Sequence, residues 1–356
     1  LGSIAQAAVL PAFENAENCE LAALVTGDPV KSRELGDRYN VRVYSYEQYD
    51  ECLNDVDAVY IALPNHLHCE YTVGAARRGV HVLCEKPMAP TEEDCEHMIE
   101  AAEQNNVKLM IAYRLHFEEG NLEAIRIAQS GELGDLRIFS SVFTQQEAEG
   151  NVRVAPEPGR GTVFDMGVYC INAARYLFRE EPVEVMAFTA NNGEERFRDS
   201  EEMTSAIMKF PQERLAQFTV SFGAAPVDAF SIAGTKGHLR LHPAYDYSSE
   251  IKHYLTIDGE TKERVFPKRD QFGPELVYFA DCILKNKDPE PSGEEGYIDV
   301  RIVNAIYKSA KLGTAVHVPR YERARRPEPA QNIERPPVEP PEELVHAEMP
   351  TGEKKP

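Results

Sequence analysis

The rhythm of apolar and polar positions changes once along this chain, near residue 115. Before that point short apolar runs alternate with amphipathic stretches of helical period. Ile4 to Ala16 reads as a helix and Glu20–Val25 (ELAALV) as a buried strand. Pro29–Tyr39 reads as a helix, with Asp28 placed to cap it and Pro29 at its first position. Val56–Leu63 (VDAVYIAL) is a near-continuous apolar run ending at Pro64, the pattern of a central parallel strand. A helix over Leu67–Arg78, a strand over Val80–Cys84, a helix from Thr91 to about Asn105 and a strand over Val107–Tyr113 complete the series.

Beyond residue 115 the pattern predicts helices over Glu119–Ser130 and Phe164–Phe178, then extended runs in quick succession. These are Val183–Ala190, Met203–Phe210, Leu215–Phe222, Ala229–Gly234, Leu239–His242 and Ile251–Ile257. In Ala216–Phe222 the alternation puts Phe218, Val220 and Phe222 on one face, which is expected to form an uncovered apolar patch. Helices over Pro274–Lys285 and Glu294–Leu312 follow. The fold expected is an α/β Rossmann domain (1–115) followed by an α+β domain with a large open, mainly antiparallel sheet (116–319). Residues 320–356 are rich in proline and poor in apolar periodicity, so they read as disordered or draped over a partner.

The start of the chain carries the first candidate chemistry. Gly2-Ser3-Ile4-Ala5 runs into a helix and then a strand, matching the second and third positions of the dinucleotide fingerprint G-x-G-x-x-G/A. The first glycine and the first strand would then lie ahead of Leu1. At the end of the next strand, Val25-Thr26-Gly27-Asp28, Thr26 stands where an acidic residue would bind the ribose hydroxyls of NAD. Lys31 and Arg33 add positive charge nearby, which favours NADP. Asp28 is the rival feature: pointed at the ribose rather than at its helix, it would favour NAD.

Bulk composition removes some functions. The chain has 356 residues, 42% hydrophobic and 27% charged, with a net charge of −21. Such an acidic body repels nucleic-acid phosphates and anionic lipid, and no stretch approaches the roughly 20 apolar residues of a membrane span. The seven cysteines show no metal-ligand spacing, and their scatter points to a reducing, cytoplasmic compartment.

Two further segments carry reactive groups. Cys84-Glu85-Lys86-Pro87 closes an apolar strand, and ligands of open α/β sheets sit at the carboxyl ends of strands. In Asp165-Met166-Gly167-Val168-Tyr169 the aspartate and tyrosine stand four apart on a helix. Alone, Lys86 could be a surface lysine and Asp165–Tyr169 a structural pair. Together with Val59–His68, Leu109–His116 and Gly293–Val316, these segments resemble the glucose–fructose oxidoreductase family, within the wider group that includes inositol dehydrogenase.

The resemblance implies a hydride-transfer enzyme acting on a sugar. It assigns Lys86 and Tyr169 as catalytic lysine and general acid–base, and Asp165 as the aspartate of the helix motif. A free phenol titrates at about 10, and a neighbouring ammonium favours the phenolate. Gly2, Ser3, Ile4, Thr26, Gly27 and Lys31 would hold the cofactor's phosphates and ribose, and Pro64, Asn65 and Glu85 its nicotinamide end. Lys86 also belongs to that cofactor set, with Arg114 and Arg153 as further contacts to cofactor or substrate. His68 could belong to the cofactor site or be structural, and His116 could reach a sugar hydroxyl or have no role in the reaction. Gly159-Arg160-Gly161 departs from the family's glycine cluster and leaves the substrate loop open. A homodimer or homotetramer through sheet faces is expected, and some relatives are periplasmic. The alternatives are a sugar or cyclitol dehydrogenase that releases its cofactor each cycle, and a non-catalytic dinucleotide sensor.

Overall fold

The computed structural model describes residues 1–148, 152–154, 157–323 and 325–347. They form two compact units, each assembled from separate stretches of chain. The first holds Leu1–Arg114, Asp270–Tyr297 and the chain from Glu334; the second holds Leu115–Arg269 and Ile298–Ile333.

In the first unit five short strands alternate with helices: β1 (Ala23–Val25), β2 (Arg42–Tyr44), β3 (Ala58–Ile61), β4 (His81–Glu85) and β5 (Leu109–Ala112). All pairings are parallel, but they fall into two sheets, β1–β2 and β3–β4–β5. A doubly wound sheet runs in the order 3-2-1-4-5-6, so the break falls at the place of the first strand. The helix expected over Ile4–Ala16 is present but irregular. It passes from a π-helical turn at Ala5–Val9 through Leu10–Ala12 to a 3₁₀ turn at Phe13–Asn15. The helix Pro29–Tyr39 follows its signals closely: Asp28 Oδ1 accepts from Val30 N (2.8 Å) and Lys31 N (3.2 Å), and Asn40 ends it in the left-handed region.

Two stretches group differently from the expectation. The helix Gly273–Leu284 joins the first unit, because its apolar face (Leu276, Val277, Phe279, Ala280) is buried there. Asn18 Nδ2 donates to Val277 O (2.9 Å) and Asn15 Nδ2 to Asp270 Oδ2 (3.0 Å), tying this segment to the first helix. The described part of the tail is bound to the chain's own units. Val345 packs with Leu10, Leu24 and Leu35, and the Gln6 amide holds its backbone from both sides (2.9 and 2.8 Å). In the second unit, Arg326 of the tail donates to Glu181 Oε1 (2.9 Å). The remainder of the tail, 348–356, lies outside the described residues.

The second unit is built on a nine-stranded sheet. Its strands are β6 (Leu136–Thr144), β7 (Glu184–Ala190), β8 (Met203–Phe210), β9 (Arg214–Ser221), β10 (Val227–Gly234), β11 (Gly237–Leu241), β12 (Ile251–Ile257), β13 (Glu260–Phe266) and β14 (Val316–His317). They lie in the order β13-β12-β11-β10-β6-β9-β8-β7-β14, with β6–β9 parallel and every other pairing antiparallel. The helical segment from Val163 to Phe178 packs on one face. There a side chain at Gly167 would stand 2.8 Å from Val163 Cγ1 and 3.3 Å from the Phe218 ring, so glycine lets the segment lie close to the sheet.

That packing corrects the expected exposure of the sheet. Phe218 and Val220 share a face as the alternation requires, but they are 1% and 0% exposed beneath the helix. The bare apolar positions are on the other face, at Ile138, Val142, Met186, Phe188, Ile207 and Leu215. The strand registers align them as neighbours: Ile138 opposite Leu215, and Ile207 opposite Met186.

Candidate active site

Most of the proposed cofactor residues stand at the carboxyl ends of the first unit's parallel strands, or at the start of its first helix. Gly2 is exposed, and a side chain there would meet no other atom within 4 Å. Gly2 O accepts from Gln6 N (3.2 Å), so the helix begins at Ser3 and Ile4 with first-turn N–H groups free of helical acceptors. After β1, Thr26 is buried and its Oγ1 accepts from Asp28 N (3.2 Å). Gly27 is exposed beside the Tyr46 ring, and Lys31 is half-buried in the first turn of the next helix. Both carboxylate oxygens of Asp28 are engaged, Oδ1 by the helix cap and Oδ2 by His346 Nδ1 (2.9 Å). The hydrogen bond with His346, joined by those of the helix cap, lowers its pKa against the opposing effect of burial. Asp28 is thus a capping residue.

After β3, Pro64 is exposed and Asn65 half-buried at the head of a 3₁₀ turn. After β4, Glu85 Oε1 accepts from Tyr60 Oη (2.7 Å) and Oε2 from Lys86 N (3.2 Å). Burial raises the Glu85 pKa, against the lowering pull of the Lys86 ammonium, the Tyr60 hydroxyl and Arg114. Lys86 is half-buried beside it. The loop that follows is held from below, where Gly296 approaches Met88 so closely that a side chain would stand 2.7 Å from it. After β5, Arg114 is 6% exposed and donates to Gln271 Oε1.

His68 is not placed to touch a cofactor. It is fully buried, with Nε2 facing Leu63 O (2.9 Å) and Nδ1 facing Pro87 O (3.1 Å) and Met88 O (3.2 Å). Burial lowers its pKa, and the ring joins the loop after β3 to the loop after β4. His116 is likewise internal, in the second unit, at 1% exposed with Nε2 on Asn172 Oδ1 (2.8 Å).

In the second unit Asp165 and Tyr169 rise from the helical segment that covers the sheet, and both are half-buried. Asp165 stands in the π-helical turn Val163–Gly167, and Tyr169 in the first turn of the helix Val168–Phe178. The Tyr169 ring lies edge-on to Phe143 (5.8 Å) and tilted against Tyr245 (5.9 Å). Arg153, weighed from sequence as a cofactor contact, donates from Nε to Asp165 Oδ2 (2.6 Å) and pairs with Glu147 Oε1 (3.5 Å). Burial works against the Arg153 charge, while Asp165, Glu147 and Tyr169 favour it and raise its pKa overall. Glu147 is itself 0% exposed, and burial pushes its pKa up to about 7.

Several of these partners escaped the sequence. Glu147 lies in a run of polar residues, and Gln271 and Glu275 lie far along the chain from Arg114. Glu275 is 0% exposed, with neither carboxyl oxygen hydrogen-bonded, and burial raises its pKa well above the usual value. Beneath the Tyr169 helix a buried network joins Asn172 to Asp299 (2.9 Å) and Asp299 to Arg175, which in turn pairs with Glu181. Only the i, i+3 spacing of Asn172 and Arg175 hinted at it.

Comparison with known proteins bears on both units. The family described as "Oxidoreductase family, NAD-binding Rossmann fold" matches residues 1–113, and the "GFO/IDH/MocA C-terminal domain" matches 121–240. The D-xylose 1-dehydrogenase [NADP(+)] of Haloarcula marismortui is 31% identical over 323 residues, covering 87% of this chain and 89% of that protein. The chain belongs to the GFO/IDH/MocA oxidoreductase family. Among solved GFO/IDH/MocA relatives, the aldose-aldose oxidoreductase from Caulobacter crescentus, complexed with glycerol, matches with a TM-score of 0.82. Its identity is 35%, covering 87% of this chain and 95% of that one. The 3-ketoreductase KijD10 from Actinomadura kijaniata, in complex with NADP and TDP-benzene, matches with a TM-score of 0.78 and 26% identity, covering 86% and 94%.

The first unit fits a dinucleotide on its own geometry. The open space over Gly2, the free first-turn N–H groups and the polar residues at successive strand ends are what a pyrophosphate and two riboses require.

Proposed function

We propose that this protein is an NADP-dependent sugar oxidoreductase that acts at the anomeric carbon of an aldose. What carries the reading is the family match across both units; on the sequence resemblance, Lys86, Asp165 and Tyr169 are its catalytic residues. Bound NADP supplies a nicotinamide that accepts or returns a hydride. The aldose is oxidised to its lactone: the C1 hydrogen leaves as hydride and the proton of O1 passes to Tyr169. Lys86 holds the sugar oxygen, and Asp165, itself held by Arg153, orients the sugar.

Gly2, Ser3 and Ile4 take the pyrophosphate, with Thr26, Gly27 and Lys31 at the adenosine ribose and Pro64, Asn65 and Glu85 at the nicotinamide end. NADP over NAD is supported by Asp28, whose oxygens are committed to its helix and His346, and by the NADP named for the relatives. Lys86→Ala and Tyr169→Phe should each lower turnover by two orders of magnitude or more while NADP still binds. Near-normal turnover in either overturns the assignment.

Two modes of operation are open to such an enzyme: a retained cofactor that alternates between two sugars, or a cofactor released at each cycle. Cofactor absorbance that survives gel filtration supports the first; steady turnover of free NADP with xylose or glucose supports the second. The apolar sheet face around Phe188 (64% exposed), Ile138 (53%) and Leu215 (49%) supports a homodimer through that face. Sedimentation as a monomer at micromolar concentration would exclude it.

A further inference from the structure

On the first unit, away from the strand ends, the helices His68–Arg77 and Glu92–Gln104 pack together. An open groove of about 730 Å³ lies along them, lined by Cys69, Glu70, Arg77, His97, Glu100 and Gln104 among others. At the groove Cys69 of one helix meets Asp94 and His97 of the other. One donor atom from each of the three lies within 4.8 Å of the other two, the only such group among the described residues. None of the three belongs to the reaction described above.

The local chemistry resembles a prepared coordination shell. Asp94 and His97, three apart, share one face of their helix. Asp94 is held by Thr91, whose Oγ1 donates to Asp94 Oδ2 (2.7 Å) and accepts from Asp94 N (3.1 Å). Carboxylate ligands of metals receive orienting hydrogen bonds of this kind. Cys69 and Asp94 are half-buried and His97 is exposed, so one side of the cluster stays open to the groove. Sulfur, nitrogen and oxygen donors together suit Zn²⁺ and its neighbours, whereas Mg²⁺ and Ca²⁺ require oxygen donors throughout.

We propose that Cys69, Asp94 and His97 form a site for a zinc-class divalent cation, with water from the groove as fourth ligand. Metal–ligand bonds of about 2.0–2.3 Å in a tetrahedron place donors roughly 3.3–3.8 Å apart, so from separations within 4.8 Å the side chains close in by about 1.5 Å at most. The metal displaces the thiol proton. The bound ion clips together two helices that already meet through the Cys69–Asp94 hydrogen bond.

Cobalt(II) titration of the reduced full chain tests this directly. One equivalent should bind, with a thiolate-to-cobalt charge-transfer band in the near ultraviolet, tetrahedral visible bands, and displacement of both by Zn²⁺. Cys69→Ser should abolish the charge-transfer band. His97→Ala, at an exposed position the fold tolerates, should weaken cobalt binding at least about tenfold. Absence of the band at saturating cobalt overturns the site, as does an undiminished band in Cys69→Ser. Unchanged affinity in His97→Ala overturns it equally.

Discussion

Replacing Glu147 by glutamine should make the protein's stability less sensitive to pH between 5.5 and 8. Glu147 is fully buried between Gln145, Arg153 and the sheet, and burial pushes its pKa from 4.5 up to about 7 despite the Arg153 guanidinium. The carboxyl is raised, so the fold favours its neutral form. That contribution is fully present below the unfolded value and is lost as pH rises through about 7. A shift of about 2.5 units at ~1.36 kcal/mol per unit amounts to about 3 kcal/mol in all, of which about 2 kcal/mol falls between pH 5.5 and 8. With an unfolding entropy of ~2.1 cal/mol/K per residue, that is a difference of about 3 °C in melting temperature. Glutamine fills the same volume, keeps the Gln145 contact and does not ionise. Scanning calorimetry of both proteins should show the variant gaining about 3 °C on the parent as pH rises from 5.5 to 8. A gap that stays constant across that range would mean Glu147 does not titrate there, and the electrostatic account of this corner would be wrong.

Other expectations follow from the same geometry. NADP should bind more tightly than NAD, and Lys31→Glu should narrow the preference at least about tenfold in a fluorescence titration; equal affinities in the parent would refute the ribose assignment. Arg175→Met should destabilise the second unit by about 3–5 kcal/mol, because it takes the Arg175 guanidinium from the buried Asp299 and Glu181, of which Glu181 keeps Arg326. Urea unfolding measures this, and a loss under 1 kcal/mol would show the network to be dispensable. Phe188→Glu, on the bare sheet face at 64% exposure, should leave the melting temperature within about 1 °C while shifting any dimer towards monomer in sedimentation.

What could be read from the sequence was whatever a local signal carries. Asp28-Pro29 fixes the start of its helix, and the helix over Glu119–Ser130 has the bounds its periodicity gives. β13 was invisible because ETKERVF is charged along nearly its whole length, being an edge strand open to solvent on both sides. β6 was missed although it lies inside the sheet, since its apolar residues fall on both faces and break the alternation. Alternation grouped Phe218 with Val220 but could not tell which face a helix would cover. The site divides the same way. Glu85-Lys86 and Asp165–Tyr169 announce themselves within five residues, whereas Glu147, Gln271 and Glu275 acquire meaning only from contacts distant in sequence.

Val345 in the core of the first unit has a consequence for how the molecule is made. Its clasp by Gln6 spans 339 residues, and the same unit also needs the helix Gly273–Leu284. A ribosome adding about 5–20 residues per second releases those pieces tens of seconds after the glycine loop has emerged. The nucleotide-binding unit, though begun before the second unit, is therefore completed after it. Until then its unfilled apolar surface is left to chaperones, and a stop codon just ahead of Val345 would harm the unit that holds the glycine loop.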